Sequence, residues 1–169
     1  MNVSALKVGV LLFMVGLNVL IFYYRKSIAR LAKWGYFGIF WASLLGNATI
    51  LAPSPVFALV MVEGWALNPY WVGLISAIGG ALGEITGYVT GYAGQVLVGE
   101  HPRIEEWIQT YGFLAIVLLS ATPNPFFDVA GILAGLNHFP LEQFVAATFL
   151  GTLIKYTLLA LTGRFIFKK

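Results

Sequence analysis

The chain has 169 residues and no cysteine. That excludes disulfides, thiolate metal ligands and cysteine nucleophiles. Histidine occurs twice, as His101 and His138, and neither belongs to a motif. Gly-rich phosphate loops, metal-ligand spacings and nucleophile elbows are missing too. The expectation is a protein that is not an enzyme and carries no cofactor or metal. Charge is also scarce, at 10% of residues, where a soluble domain carries about 25%. Hydrophobic residues make up 59% and mean hydropathy is +0.84. These values predict an all-α integral membrane protein of one compact unit.

Three stretches are long and apolar enough to span a bilayer: Val8–Tyr24, Tyr70–Gly94 and Phe144–Phe165. A spanning helix needs roughly 17–25 mostly apolar residues. The first carries its positive charges after the apolar run, at Arg25 and Lys26. That is the wrong order for a cleaved signal peptide and predicts a retained anchor. Arg25, Lys26, Arg30 and Lys33 belong in the cytoplasm by the positive-inside rule, with Arg164, Lys168 and Lys169 of the tail. The segment with Glu100, Arg103, Glu105 and Glu106 suits the opposite side. Residues 1–35 therefore read as an anchor with a basic juxtamembrane segment, 36–163 as the membrane domain and 164–169 as a basic tail. The one basic cluster is juxtamembrane and meets anionic headgroups; nucleic acid is not an expected partner.

Two further apolar stretches, 36–62 and 112–136, are each interrupted by Pro-x-Pro: Pro53-Ser54-Pro55 and Pro123-Asn124-Pro125. Proline removes a backbone donor, and the residue before it is pushed out of the α region. Each interruption predicts an extended turn. The arms around Pro123 read as about ten residues each, too short for a core of about 30 Å. The expected solution is a re-entrant helical hairpin whose tip is buried in protein or lines a wet cavity. Ordinary loops between short helices are the plainer alternative. Each hairpin is followed by a spanning segment. Opposite entry sides make the halves an inverted repeat, a pattern found in transporters.

The second span repeats Gly79, Gly83, Gly87 and Gly91 at every fourth position. Such a stripe lets helix backbones approach closely. Its partner is a hairpin arm or a second copy in a homo-oligomer. Glu84 lies inside this span, and an ionisable group at that depth marks a functional site by default. It can carry a proton, pair with a cation such as Lys155, or hydrogen-bond a hairpin tip. Asp128, just past the second tip, suits the same role or that of an N-cap.

The run GALGEITGYVTGYAG at 80–94, then YGFLAIVLLSATPNPFFDVAGILAG at 111–135, then Pro140, Phe144, Gly151 and Lys155, resembles the DedA/VTT family. These are also called SNARE-associated Golgi proteins. The resemblance covers roughly residues 36–163. It implies about three spanning helices plus two re-entrant hairpins, and movement of phospholipids or polyprenyl-phosphate carriers between leaflets, in some members coupled to protons. Typical bacterial members carry arginines near the second hairpin, in a pattern resembling F-x-R-x-x-P-x-x-R. Here those positions hold Ser120, Ala121, Thr122, Asn124, Phe126 and Phe127. An arginine pair would grip a phosphate at two points.

The functional expectation is a flippase- or scramblase-like lipid transporter in a bacterial cytoplasmic membrane, with membrane lipids as partners. Glu84, Asp128, Asn124 and Lys155 line its path. A non-transporting assembly or scaffold protein is the alternative.

Overall fold

The computed structural model describes residues 34–48, 56–98, 102–122 and 127–167, together with Val8, Gly9, Leu12, Gly16 and Tyr23. Of residues 95–98, 102–109 and 127–130 it describes the backbone alone. The predicted first span is otherwise outside the described residues, as are Pro53, Ser54, Pro55, Pro123, Asn124 and Pro125.

Among the described residues six helices follow one another: α1 (Tyr36–Asn47), α2 (Val56–Ala66), α3 (Pro69–Val98), α4 (Pro102–Ala121), α5 (Phe127–Leu136) and α6 (Leu141–Phe167). Two contain stretches long and apolar enough to cross a membrane, Pro69–Gly94 and Leu141–Phe167. They contain the second and third predicted spans. Helix α1 has 12 residues and α2 is one residue shorter. At the helical rise of about 1.5 Å per residue, each reaches only roughly 18 Å. The second pair differs from expectation. Helix α5 has 10 residues, but α4 has 20, because the helix already begins at Pro102 and takes in Arg103, Glu105 and Glu106. The cause is local: proline suits the first helical position, and glutamates suit the first turn. Only its Thr110–Ala121 part is apolar.

Local chemistry sets the turns. Asn68 accepts the Tyr70 N–H at 3.0 Å ahead of Pro69, a cap for α3. The Tyr36 hydroxyl accepts the Asn68 N–H at 3.2 Å, tying the α2–α3 turn to α1. Gly35 opens α1 with a positive φ, a conformation that favours glycine. The α5–α6 turn ends α5 with the Phe139 N–H on the Ala134 carbonyl at 2.9 Å. His138 takes a positive φ there, as residues just past a helix end often do. The Tyr88 hydroxyl donates to the Phe139 carbonyl at 2.6 Å, tying that turn to α3.

The packing repeats itself. Helix α1 packs on α3 as α4 packs on α6, and α2 packs on α6 as α5 packs on α3. Each second arm thus lies on the long helix of the other half. Gly73 meets Thr157, and the rings of Tyr88 and Phe144 lie 5.2 Å apart, so α3 and α6 are antiparallel. Glycines mark the repeat. Gly79 and Gly151, like Gly91 and Gly163, are 72 positions apart, and Gly64 and Gly135 are 71 apart. On one side Gly64 abuts the Ala160 backbone while Gly163 abuts Met61; on the other Gly135 abuts Tyr88 while Gly91 abuts Ile132. Where a Cβ would stand, each of these glycines holds a neighbouring carbonyl. The glycine stripe of α3 therefore serves two partners. Gly79 and Gly83 receive the Phe40 and Leu44 carbonyls of α1, Gly91 receives α5, and Gly87 is buried between them.

Gly91→Ala and Gly163→Ala are each expected to lower stability by about 1–3 kcal/mol, the usual cost of overpacking. Gly94, with nothing within 4 Å of its would-be Cβ, is expected to accept alanine without loss. Thermal unfolding in detergent checks this; equal midpoints for all three would show that the seams yield.

Candidate functional site

Near the middle of α3 and α6, apolar packing gives way to a small polar centre. Glu84 is 2% exposed and Lys155 4%. Both are engaged by their surroundings. Glycines explain how a carboxylate comes to be so deep: Gly80 and Gly83 let α3 close on Tyr156 and α1, leaving Glu84 enclosed. Its Oε2 lies 3.8 Å from where a Cβ on Gly131 of α5 would stand, and Phe144 of α6 closes the same spot at 3.6 Å. Helices α3 and α5 run parallel here, with Gly131 at Glu84 and Tyr88 and, one turn on, Gly135 at Tyr88 and Tyr92. Extended by one turn, that register sets the first turn of α5, with Asp128 as its second residue, alongside Glu84.

Lys155 answers from α6. Its Nζ lies 5.0 Å from the Tyr156 ring centre and 5.5 Å from that of Phe57 at the start of α2. Aromatic faces favour an ammonium where water is scarce. The end of the first hairpin arm is held beside it. The Tyr156 hydroxyl accepts from Asn47 Nδ2 at 2.7 Å and lies 3.0 Å from its Oδ1, to which it donates. Asn47 Nδ2 also donates to the Ser43 carbonyl at 2.6 Å, and the Thr86 hydroxyl donates to the Ala48 carbonyl at 2.8 Å. Hairpin backbone that would lack partners is thus taken up by side chains of the long helices.

The repeat exposes an asymmetry. Tyr156 stands 72 positions after Glu84, and Phe57 stands 71 before Asp128. Where one half places two acidic residues, the other places a Tyr–Phe pair with ring centres 6.3 Å apart. The polar centre is therefore built once, on the α3–α5 side, with Lys155 on the other. Glu84 and the first turn of α5 lie side by side, whereas Lys155 stands on α6 beside Phe57 and Tyr156, so the two buried charges face different hairpins; Asn124 lies outside the described residues. Sequence reasoning missed Tyr156 and Phe57, which a comparison of the halves at an offset of 72 would have flagged. Among the described residues no three His, Asp or Glu side chains converge as metal ligands. The arrangement can bind charged groups of either sign and can exchange a proton at a carboxyl.

The Asn47–Tyr156 pair yields a direct test. Tyr156→Phe and Asn47→Ala should each cost about 1 kcal/mol, with the double variant no worse than the more damaging single one. Additive losses in thermal unfolding would mean that the two act independently.

Comparison with known proteins identifies the family. A family model described as the VTT domain matches residues 53–165. The vacuole membrane protein KMS1 of Arabidopsis thaliana is 30% identical over 117 residues, covering 63% of this chain and 28% of the plant protein. Its counterpart KMS2 is 27% identical over 114 residues, covering 63% and 27%. The chain thus spans little more than a quarter of these plant proteins. An uncharacterized protein of Methanocaldococcus jannaschii is 30% identical over 149 residues, covering 82% of this chain and 90% of its own length. No solved structure matches the chain. With its family model matched across both halves of the packing repeat, the chain belongs to the VTT-domain family of membrane proteins, the DedA/SNARE-associated group.

Proposed function

We propose that this membrane protein moves lipid headgroups between leaflets, without enzymatic chemistry, along a polar route centred on Glu84, Asp128 and Lys155. The observation that carries the reading is the buried polar centre at the crossing of two antiparallel helices whose halves exchange their second arms. With α3 and α6 as spans, the axis relating the halves lies in the membrane plane. The hairpins α1–α2 and α4–α5 then enter from opposite sides as re-entrant elements. Broken helices that meet near the midplane of an inverted repeat are the arrangement used by many transporters.

Physical need points the same way. A headgroup that crosses unaided loses its water, at several kcal/mol per unpaired polar group. Carboxylates beside α5 and an ammonium beside α2 replace part of that hydration, while acyl tails remain in the bilayer. Glu84 and Asp128 hold an amine-bearing headgroup or take up a proton as anionic cargo passes. Lys155 supplies a positive charge beside the first hairpin, while the second lacks the arginines of typical bacterial members. The ends differ in a manner that suits a plasma membrane. Trp34, Trp65, Trp71 and Arg164 are exposed at the end where α1 and α3 begin and α6 ends. Aromatic residues favour both membrane interfaces and basic residues the cytoplasmic side, so it is Arg164 that puts this end inside the cell.

Exchange of labelled phospholipid between the leaflets of reconstituted vesicles tests the proposal at two pH values. Wild-type protein is expected to exceed empty vesicles. Glu84→Gln and Asp128→Asn are each expected to slow exchange about tenfold, equivalent to about 1.4 kcal/mol of barrier. Neutral variants that match wild type at both pH values would remove the carboxylates from the route. Wild-type exchange at the empty-vesicle rate would favour an assembly role.

A further inference from the structure

A hydroxyl on an apolar helix commonly folds back and donates to a carbonyl three or four residues earlier. Thr86, Thr90, Ser120, Thr122, Thr152 and Thr162 do so. Ser43, Ser76 and Thr148 do not. All three are fully buried, and the hydroxyl oxygen of each lacks a partner. Leaving a buried hydroxyl unpaired is costly, so three among the described residues require a physical reason.

Their distribution supplies one. Ser43 lies on α1 and Ser76 on α3, the helices of one first-arm seam. Thr148 lies on α6, 72 positions after Ser76 and just before the Gly151 that abuts Ser120 and Val117 of α4. Ser76 and Thr148 each stand three residues before the glycine that receives a first arm, Gly79 against α1 and Gly151 against α4, so the unpaired hydroxyls run along the two equivalent seams, α1–α3 and α4–α6. The second-arm seams, α2–α6 and α5–α3, differ in kind. Reciprocal glycines bring backbone against backbone there, and the fully buried side chains include Val60, Ala160 and Ala134.

We propose that the two first-arm seams are the hydrated lanes of the working protein. Ser43, Ser76 and Thr148 hydrogen-bond water that enters as these seams loosen, while the second-arm seams stay shut. A polar site with several donors and acceptors is where internal water is held. A hydroxyl donates and accepts equally well, so these lanes take water and the polar parts of a headgroup without selecting a sign of charge. The inference rests on the transport reading for what the water accompanies, and on the hydroxyls alone for where it goes.

The lack of cysteine makes the test direct. Ser43→Cys, Ser76→Cys and Thr148→Cys are introduced singly into the full chain in phosphatidylcholine vesicles, beside Val60→Cys and Ala134→Cys in the closed seams. All five positions are 0% exposed. A small charged methanethiosulfonate reagent needs a hydrated thiolate, so the three hydroxyl positions should label at least ~10-fold faster than the two controls. Equal rates at all five, slow or fast, overturn the proposal. Hydrogen–deuterium exchange of the unsubstituted protein is the second measurement. Amides of α1 and of the apolar part of α4 should exchange faster than those of α2 and α5; the reverse order overturns the proposal even if a variant misfolds. Lipid exchange is read separately on the same vesicles. Fast labelling in a protein that moves no lipid would keep the lanes and retire the transport reading.

Discussion

Two helix backbones can touch only where neither presents a side chain at the contact, and the rest of this molecule depends on that steric fact. Gly64 and Gly163 satisfy it on one side, Gly91 and Gly135 on the other. In lipid, apolar side chains gain little by leaving one apolar medium for another, so close van der Waals contact carries much of the association. Removing the Cβ at these points lets the short arms reach the long helices, and the arms then enclose the centre. Without that enclosure neither Glu84 nor Lys155 would be dry enough to be costly.

The polar centre draws its character from the difference between the halves. A perfectly repeated sequence would place either four carboxylates or two Tyr–Phe pairs around the crossing. Instead Glu84 and Asp128 occur on one side, Tyr156 and Phe57 on the other. The aromatic side does a different task. It joins the first hairpin to α6 through the Asn47 amide and gives Lys155 two ring faces. The first hairpin is thereby anchored by neutral groups with one ammonium beside it, while the carboxyls stand beside the second.

Much of the scaffold was legible in the sequence because membrane physics writes in coarse letters. Long apolar runs gave α3 and α6, and a single glutamate inside an apolar run announced its own burial. The glycine stripe was visible through its four-residue spacing, but its partners were not. Gly79 and Gly91 share a stripe yet face α1 and α5, helices separated by some eighty positions of chain. The reciprocal glycines Gly64, Gly135 and Gly163 were overlooked as contacts because they lie on three separate helices, and only the repeat offset links them. The start of α4 was misplaced for another reason. Charged residues were read as loop, although Pro102 followed by Glu105 and Glu106 is a sound way to begin a helix. The neighbours of Lys155 escaped notice because Phe57 is nearly a hundred positions away, and no local pattern encodes such a meeting.

The exchange of second arms also governs how the chain is made. Helix α2 leaves the ribosome well before α6, on which it packs. Until then the glycine face of α2 has no seat, and the first half cannot complete itself as an independent unit. Biogenesis must therefore hold a partly inserted intermediate until α6 has been made, which makes the insertion machinery a participant in assembly. The same interlock means that two separately translated halves should find each other more readily than either finds a stable structure alone.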